Sequence, residues 1–459
     1  MTDIVGLGTG ELLDAFRARR LSPVEVFDAH AGRIAAVDGE LNAFRSLCLD
    51  RAAGEAGRAE QAYRDGGRPR PLEGLPFAAK DIFDTAGVPT GYGSAMFAEH
   101  VPAADAAAVA CLRAAGAILV GKTTTHEFAW GITSVNPSVG TPRNPVDVRR
   151  VAGGSSGGSA VALASHQVPF ALGSDTGGSV RIPSSFCGIA GVKPTFQALS
   201  RDGVWPLAAS LDHVGAMART VGDLMPWLVE LSGAHSSAPR PGVSTTSARV
   251  GICPDLHLVA LAPDVQAVFD AAVAALGGLA GEVSEVAFPG ADRIHPAFTT
   301  IQGAEAVISH GRAGLFPARA ADYGDDVRGR LQAASSITLE QYADATTTRL
   351  TLERPCAAVF EQVDLVLTPI TAVAPSLIDD PDEADYFGGR IALRDAVLPY
   401  TVPQDLLGLP ACAVPAGRDA SGLPVGVQLW GPRGSDDLVL AVAAALESAL
   451  ASPRSTSSS

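Results

Sequence analysis

Two glycine-rich runs hold the residues best suited to chemistry: Gly153-Gly154-Ser155-Ser156-Gly157-Gly158-Ser159 and Asp175-Thr176-Gly177-Gly178-Ser179. Glycines around serines let a backbone approach a bound group closely and take torsions that other residues resist. Ala160 to His166 has helical character, so the first run feeds a helix N-terminus, where amide N–H groups favour anionic oxygen. A serine hydroxyl beside such donors can attack a carbonyl while the N–H groups hold the developing oxyanion. That hydroxyl needs a base. His166 lies at the far end of the expected helix, and Asp212 and His213 are adjacent, a poor spacing for one to orient the other. A lysine serves instead when burial lowers its pKa from about 10.4 toward about 7–8. Lys80 ends the apolar run Leu75-Pro76-Phe77-Ala78-Ala79, a suitable place for a desolvated amine.

The elements that would position these groups follow from periodicity. Leu75 to Lys80 reads as a short buried strand. A helix over 104–115 with a strand over 117–120, and a helix over 157–166 with a strand over 168–173, make two α/β steps. A helix of roughly ten residues spans about 15 Å. The strand after it, at about 3.3 Å per residue, covers a comparable distance. If the strand runs back along the helix, Thr176 to Ser179 returns to the level of Ser155. Ser22-Pro23-Val24-Glu25 forms a capping box for a helix running toward Val37, and a helical stretch follows from about Leu41 to Tyr63. Gly233 to Ala248 reads as an exposed loop. A strand at Val250–Cys253, helices around 263–277 and 326–361, and strands at Val363–Pro369 and 425–430 complete the pattern. It predicts an α/β fold: a single large domain with a mixed, largely buried central sheet covered by helices on both faces.

Composition bounds the function. The chain has 459 residues, 18% of them charged and 47% hydrophobic, which excludes a disordered, collagen-like or coiled-coil protein. Its 49 acidic against 34 basic residues give a net charge of −15, and no dense basic patch is visible, so no nucleic-acid partner is expected. Six dispersed cysteines without a C-x-x-C read as free thiols of a reducing, cytoplasmic compartment, and no metal site is expected. No signal peptide or membrane span is evident. Gly116-Ala117-Ile118-Leu119-Val120-Gly121-Lys122-Thr123 fits the pattern of a phosphate-binding loop. Its central residues look like the strand itself rather than a loop after one, so nucleotide binding is not expected.

Several separated motifs resemble the amidase signature family. They are Gly74-Leu75-Pro76-Phe77-Ala78-Ala79-Lys80-Asp81, the two serine runs continued through Val180-Arg181, and Cys187-Gly188-Ile189-Ala190-Gly191-Val192-Lys193-Pro194-Thr195. Ser210-Leu211-Asp212-His213-Val214-Gly215 and Gly422-Leu423-Pro424-Val425-Gly426-Val427-Gln428 continue the match. The resemblance implies one amidase signature domain over 1–451, with a catalytic core at about 70–220, a variable substrate-side region at about 233–400 and a disordered tail at 452–459. It further implies a Ser-Ser-Lys triad: Ser179 as nucleophile, Ser155 as bridging serine at a cis peptide bond, and Lys80 as base acting through Ser155. Backbone N–H groups of Thr176, Gly177, Gly178 and Ser179 would form the oxyanion hole. Asp175 and Arg181 read as loop-fixing residues, and Ser156 as a hydrogen-bonding support or a structural residue.

The implied activity is hydrolysis of the C–N bond of small amides, aryl or alkyl, extending to carbamates or esters, through an acyl-enzyme and without metal or organic cofactor. A small-molecule substrate and a monomer or homodimer are expected. The alternative is the glutamine-hydrolysing subunit of a tRNA-dependent amidotransferase. The stretch 326–350 lacks the tyrosine-rich segment associated with such subunits, having only Tyr342, which favours the stand-alone hydrolase. Trp130, Ile301 and Ile370 are expected to wall the substrate pocket.

Overall fold

The computed structural model describes residues 4–66, 68–233 and 245–451. Its strands, in chain order, are β1 (Phe44–Leu47), β2 (Pro76–Lys80), β3 (Ile118–Thr123), β4 (Phe170–Asp175), β5 (Ala190–Lys193), β6 (His213–Ala218) and β7 (Arg249–Ile252). They continue with β8 (Glu282–Glu285), β9 (Leu365–Pro369), β10 (Glu383–Tyr386), β11 (Gly389–Ala392), β12 (Ala411–Arg418) and β13 (Pro424–Trp430). Among the described residues, eleven strands form one sheet in the order β1-β3-β2-β4-β6-β5-β12-β13-β9-β7-β8, and β10 and β11 form a separate hairpin. β2 runs parallel to both β3 and β4. From β4 through β6, β5, β12 and β13 to β9 every pairing is antiparallel, and β7 runs parallel to β9 and β8. The sheet is mixed, as expected.

Side chains of a strand alternate between faces, and here both faces are covered. Phe77 and Ala79 of β2, Leu119 of β3 and Phe170 and Leu172 of β4 belong to one apolar cluster. Ala78, Ile118, Val120 and Ala171 belong to a second. Helices Ala107–Ala114 and Val221–Ser232 pack on the first face through Val109, Leu112, Leu224 and Trp227. Helices Pro23–Leu41, Leu49–Arg64 and Gly157–Ala164 cover the second through Phe27, Ile34, Ala52, Ala56 and Val161. All five residues of β2 are buried for this reason, Lys80 included.

Two sequence expectations shift. The helix expected from Leu41 starts at Leu49, because Phe44–Leu47 pairs instead with the edge of β3. The helix expected over 326–361 is two helices, Asp325–Ala334 and Leu339–Gln362; Thr338 caps the second by accepting from Gln341 N–H. The loop expected at 233–248 falls largely outside the described residues, and the tail at 452–459 wholly so. The phosphate-loop pattern is indeed strand: Gly121, Lys122 and Thr123 lie inside β3. Lys122 is buried there, bonded to Phe83 O and Thr90 Oγ1. The six cysteines are free thiols. Among the described residues no helix is long and apolar enough to cross a membrane.

Trp227 is fully buried and stacks on Phe170 of β4, with ring centroids 4.2 Å apart and an interplanar angle of 7°. Its indole N–H donates to Thr9 Oγ1 at 3.0 Å, joining the N-terminal segment to the sheet. Trp227→Ala removes the ring and orphans that hydroxyl. The expected loss is about 3–5 kcal/mol of stability, read as a lower urea midpoint with an unchanged slope.

Candidate active site

Strand alternation and pairing bring the sequence-selected residues together. β2 delivers Lys80 at its C-terminal end, and its parallel neighbour β4 ends at Asp175, where the strip Thr176–Ser179 begins. The first serine run leads into the helix Gly157–Ala164, which packs back on β4. The two loops meet through one main-chain hydrogen bond, Ser156 N–H to the carbonyl of Ser179 at 3.1 Å. The peptide bond between Gly154 and Ser155 is cis. The Ser155 carbonyl accepts from Thr125 Oγ1 at 2.8 Å and Ser134 Oγ at 3.2 Å, which fixes its plane.

Lys80 Nζ lies 2.7 Å from Ser155 Oγ and 2.8 Å from Ser174 Oγ. Lys80 and Ser155 are fully buried, while Ser179 keeps 7% of its surface. Burial without a contacting carboxylate lowers the Lys80 pKa to about 7, against the opposing fields of Asp175 and Asp212. The amine is therefore neutral in much of its population near physiological pH, with a hydroxyl at hydrogen-bond distance. Ser174 was not singled out in the sequence. Its signal was register: Ala79 lies opposite Leu172 in a parallel pair, so Ser174 sits one pleat further along, near Lys80.

Asp175 holds the strip in shape. Its Oδ1 accepts from Gly178 N–H at 2.6 Å, and its Oδ2 from Val180 and Arg181 N–H at 3.1 and 3.3 Å. Burial alone would raise its pKa, but the paired Arg181 guanidinium holds the carboxyl well below the usual carboxylate range. These bonds bear on the expected oxyanion donors. The Gly178 N–H is taken by the Asp175 carboxylate. Outside the helices and strands no backbone carbonyl among the described residues accepts from the N–H groups of Thr176, Gly177 or Ser179. Gly178 has a φ of +114°, and a Cβ there would lie 2.6 Å from Thr401 Oγ1, so only glycine fits. Thr401 also donates to the Gly177 carbonyl at 2.8 Å, and Phe298 packs over Gly177. Both come from the second half of the chain and were not found in the sequence.

A cavity of about 290 Å³ ends at Ser174 and Thr176. Its walls include Ile82, Ala129, Leu199, Arg201, Trp205, Leu207, Asp212 and His213. The expected wall residues lie elsewhere. Trp130 is 6% exposed with its indole N–H on Gln302 Oε1, and Ile301 and Ile370 are 1% and 0% exposed. All three are packed in the interior and none lines this cavity, because apolar side chains that read as pocket walls serve equally well as core. Among the described residues no group of three or more His, Cys, Asp and Glu side chains is placed to hold a metal ion.

Comparison with known proteins finds relatives along nearly the whole chain. The family model described as Amidase matches residues 25–440. A Glutamyl-tRNA(Gln) amidotransferase subunit from Nocardia farcinica is 35% identical over 495 residues, covering 98% of this chain and 99% of the relative. One solved structure comes from an unexpected vestigial protein complex that reveals the evolutionary origins of an s-triazine catabolic enzyme. It superposes with a TM-score of 0.90 at 33% identity, over 96% of this chain and 98% of the other. An amidase crystal structure superposes with a TM-score of 0.89 at 34% identity, over 96% and 99% of the two chains.

The buried Lys80 makes a stability prediction of definite sign. Its folded pKa lies below its unfolded one, so between about pH 7 and 10.5 the unfolded chain binds more protons and stability rises with pH. Lys80→Met has no such term. Urea denaturation at pH 7 and pH 9 should therefore show the wild type gaining on the variant as pH rises.

Proposed function

The chain belongs to the amidase family, and from that premise we propose that it hydrolyses a carboxamide C–N bond through an ester on Ser179. The observation that carries this is the neutral-leaning Lys80 amine 2.7 Å from Ser155 Oγ, one residue from the Ser156–Ser179 backbone bond. Ser179 Oγ attacks the carbonyl carbon as its proton passes to Ser155 Oγ and the Ser155 proton passes to Lys80 Nζ. The oxyanion takes the N–H groups of Thr176, Gly177 and Ser179. When the tetrahedral centre collapses, the C–N bond breaks and the proton returns along Ser155 to the departing nitrogen. Water then attacks the ester, gives its proton to the same relay, and releases the acid and Ser179. Every step uses residues of this chain.

The amide itself is the finer question. The near full-length relative from Nocardia farcinica is named as an amidotransferase subunit for glutamyl-tRNA(Gln), and this favours the alternative drawn from the sequence over the small-amide hydrolase. On this reading the amide is the glutamine side chain and the ammonia released serves a partner. It also runs against the expectation of no nucleic-acid partner. The second reading, a stand-alone hydrolase of small amides acting as a monomer or homodimer, has its own support in the fold match at 34% identity to a protein named simply an amidase. A cytoplasmic location goes with either.

Ammonia or amine release from glutamine, aliphatic amides, an anilide, a carbamate and an ester separates the two. Ser179→Ala is expected to lose turnover by about 10⁴-fold or more on whichever substrate works, with Lys80→Ala and Ser155→Ala also orders of magnitude down. Wild-type kcat/KM should rise with pH through about 7 as Lys80 loses its proton. Turnover of glutamine alone supports the subunit reading, turnover of the small amides supports the hydrolase, and full activity in Ser179→Ala refutes both.

A further inference from the structure

Asp212 takes no part in the proton relay, yet the sheet places it beside the nucleophile strip. β4 and β6 pair antiparallel with Asp175 opposite His213, so the next residues outward, Thr176 and Asp212, face each other where the strands end. The Asp212 carboxylate accepts four hydrogen bonds at this corner. Oδ1 accepts from Thr176 Oγ1 at 2.7 Å and Ala208 N–H at 3.0 Å, and Oδ2 from Leu207 and Ala208 N–H at 3.0 and 3.1 Å. Thr176, Leu207 and Asp212 all line the cavity.

The same turn is held from behind. Ser210 N–H donates to Glu305 Oε2 at 2.8 Å, and Tyr342 OH donates to Glu305 Oε1 at 3.0 Å. The wall at 207–212 is thus fixed to the helix Ile294–Arg312 on one side and to the strip on the other.

Building on the proposed Ser179 chemistry, we propose that Asp212 is a positioning residue whose carboxylate clamps the oxyanion strip at Thr176 to the cavity wall at Leu207 and Ala208. Thr176 supplies one of the three proposed N–H donors, so the clamp sets the aim of that donor. It also fixes the wall that the substrate leaves or occupies, so the strip and the wall move as one piece.

The carboxylate carries charge as well as geometry. Its field and that of Asp175 both favour protonated Lys80, working against burial. Burial pushes the Asp212 carboxyl up to about 6. The Thr176 hydroxyl, the Ala208 and Leu207 N–H groups and the Arg201 charge in the wall loop oppose this and favour its anion. Asp202 also lines the cavity, and His213 on the same strand is held neutral by burial and by Lys193. Glu305 reaches the turn only through Ser210. Removing the Asp212 charge should therefore lower the Lys80 pKa and shift the acid limb of reactivity to lower pH, which a purely structural residue would not do.

The test uses an alkyl fluorophosphonate, which labels an activated serine whatever the natural amide. Labelling rates of the full-length protein are measured from pH 5 to 9 for wild type, Asp212→Asn and Thr176→Val, with melting temperature as a control. Thr176→Val breaks the clamp but keeps the Asp212 charge. Expected are a labelling rate at least about tenfold slower in both variants and an acid limb displaced to lower pH in Asp212→Asn alone. Wild-type rate and limb in a folded Asp212→Asn overturn the proposal, as does an undiminished rate in Thr176→Val should Asp212→Asn not fold. Wild type that takes no label at Ser179 overturns the proposed chemistry itself, and the clamp with it.

Discussion

Lys80 is wholly buried, and its ammonium would have only two serine hydroxyls to replace its water. Taking a charge out of water is costly unless a partner ion or several good acceptors stand in, and here the carboxylates Asp175 and Asp212 act only from a distance. The amine resolves the conflict by releasing its proton near neutrality. Much of the site follows from that one constraint. β2 must be covered on both faces to keep water out, so helices pack above and below it. The hydrogen-bond partners of the amine are small neutral hydroxyls, Ser155 and Ser174, where a histidine or carboxylate would bring a charge of its own. The carboxylate needed to shape the strip must then be neutralised separately, or its field would hold the proton on Lys80.

That neutralisation is the work of Arg181. All five of its donors are used: Asp175 takes Nε and one Nη2 proton at 3.0 Å each, and Asp405 takes Nη2 at 2.7 Å. Nη1 is shared between Gln404 and Gln428 at 2.7 and 2.9 Å. A planar guanidinium with every N–H satisfied tolerates full burial, which a lysine in its place would not. Gln428 in turn donates to Thr368 Oγ1, Pro369 O and Tyr400 O, so β13, β9 and the helix Leu393–Leu406 all bear on the strip. Burial and the nearby Asp175 push the Asp405 carboxyl above its usual range, against the opposing charges of Arg181 and Lys193.

The meeting of Lys80, Ser155 and the strip at 176–179 was readable in the sequence because its constraints are local and severe. A lysine closing an apolar strand, glycines around two serines, and a helix–strand step of matching length leave few arrangements, and the separated motifs fixed their order. The fold class was equally legible from the alternation of helix and strand periods. What escaped needed long-range pairing. Ser174 differs in no local way from other strand serines, and only the register against β2 makes it a partner of Lys80. The commitment of the Gly178 N–H depends on the rotamer of Asp175. Trp130, Ile301 and Ile370 illustrate the general limit: burial is chosen by the whole sheet, and an apolar residue carries no mark of whether it faces a cavity or the core.

The pin on Asp175 is assembled from opposite ends of the chain, and this orders events in time. The strip and Arg181 lie before residue 190, whereas Gln404, Asp405 and Gln428 arrive more than two hundred residues later. β5 pairs early with β6 but meets its other neighbour only in β12. Such distant contacts form late and slowly. During synthesis Lys80, the serines and the Asp175–Arg181 pair leave the ribosome early, but the other three guanidinium bonds, to Gln404, Asp405 and Gln428, wait for the C-terminal part of the chain. A chain that ended before Gln404 would keep Asp175 beside Arg181 and lose the other three of the five guanidinium bonds.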